Sequence, residues 1–407
     1  MSEPLLVQLV QTLARPISES DRARARLHLL DWLACVAGAR QSRLRALRSM
    51  AVPGALGRAS LIGNLLEMDD VHRAALLHPG PVIWPVALGS GLDPLDHVLD
   101  AALRGYEAMV AVGSTLDAHH YAAWHPTSTA GLFGAAATAA SLFHLETDQT
   151  VWAMANAGSV AGGLWHMRHD DVLTKQWHVL HAVRTGQEAA YMAVDGMTGP
   201  AAILEGPQGI YQAMCREHRP MTFPRQWRVH EVSFKPWAAC RHAHPVIDCA
   251  LELRARGELV PPFRVETYAD AITFCDRPEP VSELDAKFSL QHAVAVIADG
   301  RGATPEDFTL QAISALAPLR AQVSVAEDAA ITARYPAHFG ARLNHLELTD
   351  TRGDPERPVT QTDIVAKMEM LARWGGLPPA EAERASRLAL EGSDATAIVA
   401  MLEDWLE

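Results

Sequence analysis

Cysteine is scarce in this chain. Cys35, Cys215, Cys240, Cys249 and Cys275 are the five among 407 residues, too few and too unevenly spaced for a disulfide scaffold or a CxxC metal knuckle, and they read as buried free thiols. Basic runs are missing too. Lys and Arg number 35 against 48 Asp and Glu, a formal charge of −13, which argues against a nucleic acid held by phosphate neutralisation and against an acidic membrane surface. No apolar run approaches the roughly 20 residues of a transmembrane helix. The opening "MSEPLLVQLVQTLARPIS" carries Glu3 where a signal peptide needs positive charge, and its apolar run is broken by Gln8 and Gln11, so a cytoplasmic protein is expected. GxGxxG and P-loop patterns are absent, which leaves nucleotide cofactors without support. Among 19 histidines there is no HExxH, and the pairs His166/His169 and His242/His244 are weak metal signals of the kind chance supplies. No repeat of fixed period and no low-complexity linker stands out.

What is present is mostly helical pattern. A 49% hydrophobic chain of this length suits two to three domains, or one large core with an appended unit. From Ser20, Leu27, Leu29, Leu30, Trp32, Leu33 and Val36 recur at three- and four-residue spacing before Gly38, which predicts a helix with one buried stripe. The pattern repeats through "LDHVLDAALRGYEAMVAVGSTL", "GLFGAAATAASLFHL", "VWAMANAGSVAGGLW" and "HAVRTGQEAAYMAVDGM", whose small residues suggest closely packed helices. After "EVSFKPWAACRHAHP" the composition changes. "PPFRVETYADAITFC", "RAQVSVAED" and "ARLNHLELTDTRG" carry β-branched residues and alternation, with Leu343, His345 and Glu347 set against Asn344, Leu346 and Leu348. Short strands are expected there, with a helix in "KFSLQHAVAVIADG", and helical pattern returns in "TQTDIVAKMEMLARWGGL" and "DATAIVAMLEDWLE". The expected fold is mainly α with an α+β second domain: a large helical domain over 1–234 and 357–407, interrupted by a smaller α/β domain over 235–356.

Three polar clusters break the apolar background. In "EMDDVHRAALLHPG", Glu67, Asp69 and Asp70 stand near His72, Arg73 and His78, and a solvated acidic turn is the plain alternative. In "HYAAWHPTSTAGLFGAAATAA", the hydroxyls of Thr127, Ser128 and Thr129 open a helix whose free N–H groups suit a carboxylate, with Tyr121 and His125 beside them. Plain capping competes with that reading. In "LTKQWHVLHAVRTG", Lys175 precedes His178 and His181, which are one helical turn apart. A lysine is a poor base at about 10.4, but burial or cationic neighbours bring it toward neutrality.

Taken in order, "LLDWLACVAGA", "EMDDVHRAALLHPG", "WHPTSTAGLFGAAATAA", "TKQWHVLHAVRTGQEAA", "TGPAAILEGPQGIYQAM", "KPWAACRHAHPVIDCALEL" and "DAKFSLQHAVAVIADG" resemble the MmgE/PrpD family, which includes 2-methylcitrate dehydratase, cis-aconitate decarboxylase and iminodisuccinate epimerase. The resemblance implies a large helical domain, a smaller α/β lid, a homodimer, and a site between the domains that uses no metal or other cofactor on a small polycarboxylate. By position, Glu67 falls where the family has the first aspartate of DxDD, Asp69 and Asp70 match the following pair, and His78 matches the first HP histidine. His125 matches the second HP histidine, Lys175 and His178 match the TKxxH segment, and His244 matches the histidine near the lid junction. "HYAAWHPTST" is similar to the epimerase version, in which the equivalents of Tyr121 and Lys175 are proposed acid/base groups on opposite faces of the substrate carbon. Val71 stands where relatives have Thr or Ser, and Phe274 lies near a tyrosine position of the decarboxylase branch.

The resemblance thus implies a lyase or isomerase that abstracts a proton next to a carboxylate. Lys175, Tyr121 and His125 are the expected catalytic groups. Glu67, Asp70, His78, Thr127, Ser128, His178, Arg241 and His244 are the expected substrate contacts. Epimerisation, dehydration and other eliminations all start from the same carbanion-like state, in which developing charge must be stabilised. A carboxylate-binding protein without turnover, and a metal-dependent hydrolase, are the competing classes.

Overall fold

The computed structural model describes residues 3–42, 54–89, 94–170 and 172–406. The chain divides into two compact units, one of residues 1–65, 69–232 and 361–407, the other of 66–68 and 233–360. The first is helical and the second is α/β, as the composition shift predicts. No helix among the described residues is long and apolar enough to cross a membrane.

The first unit is built around the Pro126–Leu142 helix, which packs against Leu95–Thr115, Thr147–Gly158 and Thr174–Val194. Every residue from Pro126 to Ala140 is buried, so this helix is enclosed on all faces. Its glycines and alanines explain how. A Cβ added at Gly134 would lie 2.7 Å from the Met109 Cβ and 3.0 Å from the Gly105 carbonyl oxygen, so the two backbones approach more closely than any larger side chain permits.

The Glu19–Ala39 helix starts two residues earlier than its apolar pattern suggests. Ser18, not Ser20, is the N-cap, and Ser18 with Asp21 forms a capping box. Its buried surface is not one stripe: His28 to Ala39 are all buried, because the Gln361–Trp374 and Pro379–Glu391 helices cover the side that the first helices leave open. That return of the chain is fixed by a buried ion pair, in which Lys367 Nζ donates to Asp31 Oδ1 at 2.6 Å.

In the second unit a four-stranded sheet runs in the order β2-β1-β3-β4. β1 (Phe263–Thr267) is parallel to β2 (Val323–Glu327) and antiparallel to β3 (Ala341–Leu343), which pairs with β4 (Leu346–Leu348). Phe263, Val265 and Thr267 are buried while Arg264 and Glu266 are not, a period of two that sets one face of β1 inward. The His244–Ala255 helix packs on β3 and β4, and the Leu290–Ala298 helix on β2. The alternation over 343–348 does not form one strand. Asn344 takes φ 54°, and its left-handed backbone turns the chain into a hairpin between Leu343 and Leu346.

Candidate active site

The acidic turn of the first unit holds two adjacent carboxylates with opposite fates. Asp70 accepts hydrogen bonds from the His28 Nδ1–H at 2.9 Å, the Tyr106 hydroxyl at 2.6 Å and the Gly80 N–H at 2.8 Å. Trp84 Nε1 donates in turn to the Tyr106 oxygen at 3.1 Å. Burial pushes the Asp70 carboxyl up, but these donors outweigh it and hold it below its ordinary value. Burial lowers His28 to about 4, so it serves Asp70 as a neutral donor. Both Asp70 oxygens are thereby committed inside the core.

Asp69 is as deeply buried, at 1% exposure, yet neither of its oxygens has a hydrogen-bond partner. Its Oδ2 lies 3.0 Å from His78 Nδ1, whose hydrogen goes to the Asp70 carbonyl oxygen at 2.9 Å. The His78 backbone N–H donates to Thr127 Oγ1 at 3.0 Å. The first HP turn is thus docked on the start of the second.

That second start is not capped by its hydroxyls. The Pro126–Leu142 helix has His125 at the N-cap without a side-chain cap, and the Ser128 and Thr129 N–H groups both return to the His125 carbonyl. Thr127 accepts from His78, while Thr129 Oγ1 donates to the Gly162 carbonyl at 3.1 Å and accepts from His120 Nε2 at 3.0 Å. This fixes the His120 tautomer, since the Nε2 proton is used and Nδ1 is left as a buried lone pair without a partner. Ser128 Oγ is likewise buried and unpaired.

His125 sits at the centre of these groups. Its N–H donates to the Gly163 carbonyl at 2.7 Å, its Nδ1 lies 3.3 Å from His178 Nδ1, and its Nε2 is buried without a partner. Burial drives His125 well below its ordinary value, and the neighbouring charges of Lys175, His178, His78 and His120 add to the effect. His178 is lowered by burial and by His181. Two neutral imidazoles therefore share one hydrogen between their Nδ1 atoms. Lys175 is half-buried in the first turn of the Thr174–Val194 helix, where the helix dipole opposes a positive charge. Trp165 stands between His125 and Tyr121, 4.5 Å from the first ring and edge-on to the second at 6.1 Å. The unit therefore gathers His78, His125, Thr127, Ser128, Lys175 and His178, with Tyr121 linked through Trp165.

Within the second unit, Glu67 and Lys235 form a buried pair at 3.6 Å. Glu67 holds φ 56°, a strained backbone of the kind that collects at functional sites. Arg241 is engaged by Asp354, by the Phe234 and Arg352 carbonyls and by His244 Nδ1. His244 Nε2 donates to the Ala239 carbonyl at 3.1 Å. These contacts commit both His244 nitrogens and leave Arg241 only its Nε without a partner.

Four residues lie outside the expected set yet belong to these clusters. Asp69 was distinguished from Asp70 by nothing in the motif. His120 is one of two adjacent histidines, and only its burial against the half-buried His119 separates them. Trp165 carries no spacing signal, and Lys235 had one only in the quoted "KPWAACRHAHP". Among the described residues, the one cluster with the geometry to hold a metal ion is His338, Asp350 and Glu356, none of which the histidine pairs suggested.

Comparison with known proteins agrees with the motif order. The MmgE/PrpD N-terminal domain model matches residues 49–222 and the C-terminal domain model matches 237–391. Human cis-aconitate decarboxylase (Homo sapiens) is 30% identical over 261 residues, 58% of this chain and 53% of that protein. The Mus musculus protein of the same name is 31% identical over 265 residues, 59% and 53% of the two chains. Cis-aconitate decarboxylase-like protein oryM of Aspergillus oryzae is 28% identical over 184 residues, 41% and 37%. The chain spans about half the length of the two mammalian relatives and less of the fungal one. With both domain models matched in order along a helical and an α/β unit, the chain belongs to the MmgE/PrpD family.

Proposed function

We propose that the chain is a lyase or isomerase that takes a proton from carbon next to a carboxylate of a small di- or tricarboxylic acid. The observation that carries this reading is His125, a buried imidazole with an unpaired Nε2 and a second imidazole against its Nδ1. Burial and nearby positive charge keep it neutral. A bound carboxylate would reverse that balance, so the site becomes able to hold a proton when an anionic substrate arrives.

In this reading Lys175 or Tyr121 is the base and the other group or His125 is the acid. Ser128 Oγ and His120 Nδ1 are free to meet substrate polar groups, and His78 and Lys175 face the developing negative charge. Asp70, Arg241 and His244 act as scaffold, because their polar atoms, the Arg241 Nε apart, are spent inside the protein. Reprotonation from the opposite face gives epimerisation, and loss of a β-substituent gives elimination. The names of the relatives make cis-aconitate the first acid to test.

The experiment is proton NMR in D2O with cis-aconitate, 2-methylcitrate and iminodisuccinate stereoisomers, with Lys175→Ala as control. Solvent deuterium entering the substrate or product, abolished in a folded Lys175→Ala protein, is the expected result. Turnover retained by Lys175→Ala removes Lys175 from the mechanism. Tight binding of these acids without exchange or product would mean a carboxylate-binding protein.

We also propose a homodimer. Trp177, Tyr191, Val194 and Met197 are 53, 58, 48 and 54% exposed along and just beyond one helix of the first unit, an apolar surface that a second copy would cover. Sedimentation of the protein as a monomer at micromolar concentration would refute it.

A further inference from the structure

Cys240 and Cys275 are free cysteines of the second unit. Cys240 precedes the short Arg241–Ala243 turn, and its N–H donates to the Lys287 carbonyl at 2.8 Å. Cys275 ends the Ala269–Cys275 helix, which packs on that turn. Residues close to them touch: the ring of His242, two positions after Cys240, stacks on Phe274, next to Cys275, at 5.1 Å with 21° between the planes. The packing of this helix end on the turn brings the two cysteines together, and each side chain acts on the other. Both are buried, Cys240 at 8% exposure and Cys275 completely, so Cys240 is the one nearer the surface.

Their surroundings divide the two thiols by role. Burial pushes Cys240 up, but the Cys275 hydrogen bond, the Lys235 ammonium and the His242 N–H outweigh burial and Glu67 and bring it below its ordinary value. Burial and the Cys240 sulfur push Cys275 well up. One sulfur is poised to attack while the other keeps its proton. The remaining cysteines lack this arrangement: burial raises Cys35 well above the usual range and Cys249 to about 12, and it also raises the half-buried Cys215.

We propose that Cys240 and Cys275 form an oxidant-sensitive dithiol that hydrogen peroxide closes to a disulfide. The Cys240 sulfur attacks one peroxide oxygen and the O–O bond breaks, which gives a sulfenic acid and, with the Cys240 proton, one water. The Cys275 sulfur then displaces hydroxide from that sulfenic acid. The S–S bond forms as the S–O bond breaks, and the Cys275 proton leaves with the hydroxide as a second water. Two thiols lose two electrons and one peroxide gains them.

The test uses the full chain in its native state and needs no knowledge of the reaction it catalyses, so it stands apart from the proposed function. After exposure to peroxide, the protein is unfolded in an alkylating agent and its peptides are weighed. A Cys240–Cys275 cross-linked peptide, reversed by dithiothreitol, is expected, with Cys35 and Cys249 still alkylated. Cys275→Ser should stop at a Cys240 sulfenic acid trapped by dimedone, and Cys240→Ser should leave Cys275 alkylatable, both checked first for a native melting transition. Cys240 and Cys275 both alkylated in the wild-type protein after peroxide would overturn the proposal whether or not the variants fold. So would a cross-link of either one to Cys249, or loss of the Cys275 thiol in a folded Cys240→Ser protein.

Discussion

Replacing Lys367 by methionine leaves one buried charge without its partner. Lys367 and Asp31 are 5% and 1% exposed, with 2.6 Å between Nζ and Oδ1. Burial pushes Asp31 from 3.8 up to about 7 although Lys367 pulls it down. Burial also pulls the Lys367 amine down, but Asp31 and Cys35 outweigh it and keep it protonated. An acid whose folded value lies above its unfolded one favours the native state at low pH. Asp31 therefore lowers stability as pH rises from 3.8 to about 7, and above that its contribution levels off because it is ionised in both states. Without Lys367 the remaining influences, burial with Asp70 and Asp69, all raise Asp31. The folded value then rises further, and stability keeps falling above pH 7, at up to about 1.4 kcal/mol per pH unit while the folded acid stays protonated. The loss accumulated above about pH 7 forms part of the roughly 3–5 kcal/mol total expected for breaking a buried pair. Urea unfolding followed by tryptophan fluorescence across this range measures the difference between wild type and Lys367→Met. The double variant Asp31→Asn, Lys367→Met should lose the extra slope. Parallel curves for wild type and the single variant, or a slope that survives in the double variant, would refute the reasoning.

Two further changes separate chemistry from scaffold. His125→Gln keeps the shape of the helix start but removes the unpaired imidazole, and it should lower turnover about 10²–10⁴-fold with little change in melting temperature; near-normal kcat would exclude His125 as a proton carrier. Tyr106→Phe removes the hydroxyl that donates to Asp70 at 2.6 Å and should cost about 1.5–3 kcal/mol in urea unfolding, whereas a loss below about 0.5 kcal/mol would mean that Asp70 is not anchored as described.

Much of the helical unit was legible because apolar residues recur there at three- and four-residue spacing, although the Glu19–Ala39 and Pro126–Leu142 helices are buried well beyond one stripe, and the strands of the second unit followed from β-branched alternation. Where the pattern misled, a local competitor won. Ser18 displaced Ser20 as the cap because Asp21 lies three residues on, and Asn344 broke an alternating run by entering the left-handed region. The site was legible as residue types but not as roles. Neighbours in a turn point to opposite sides, so the sequence could not tell Asp70, bound by three donors, from Asp69, whose contact is with His78 alone. Nor could it tell that the hydroxyls after His125 would bond sideways to His78, His120 and Gly162 instead of capping the helix. Those choices are made by groups distant in the chain.

The thread of residues 66–68 that belongs to the second unit bears on modularity. A gene fragment covering only 233–360 would encode the whole sheet and its helices, yet it would omit Glu67 and leave Lys235 buried with its countercharge missing. The unit is therefore not a cassette that recombination can lift out in one cut. Any exchange of this α/β unit between relatives has to carry a three-residue splice from the middle of the helical part, so the two halves of the gene are expected to change together at these positions.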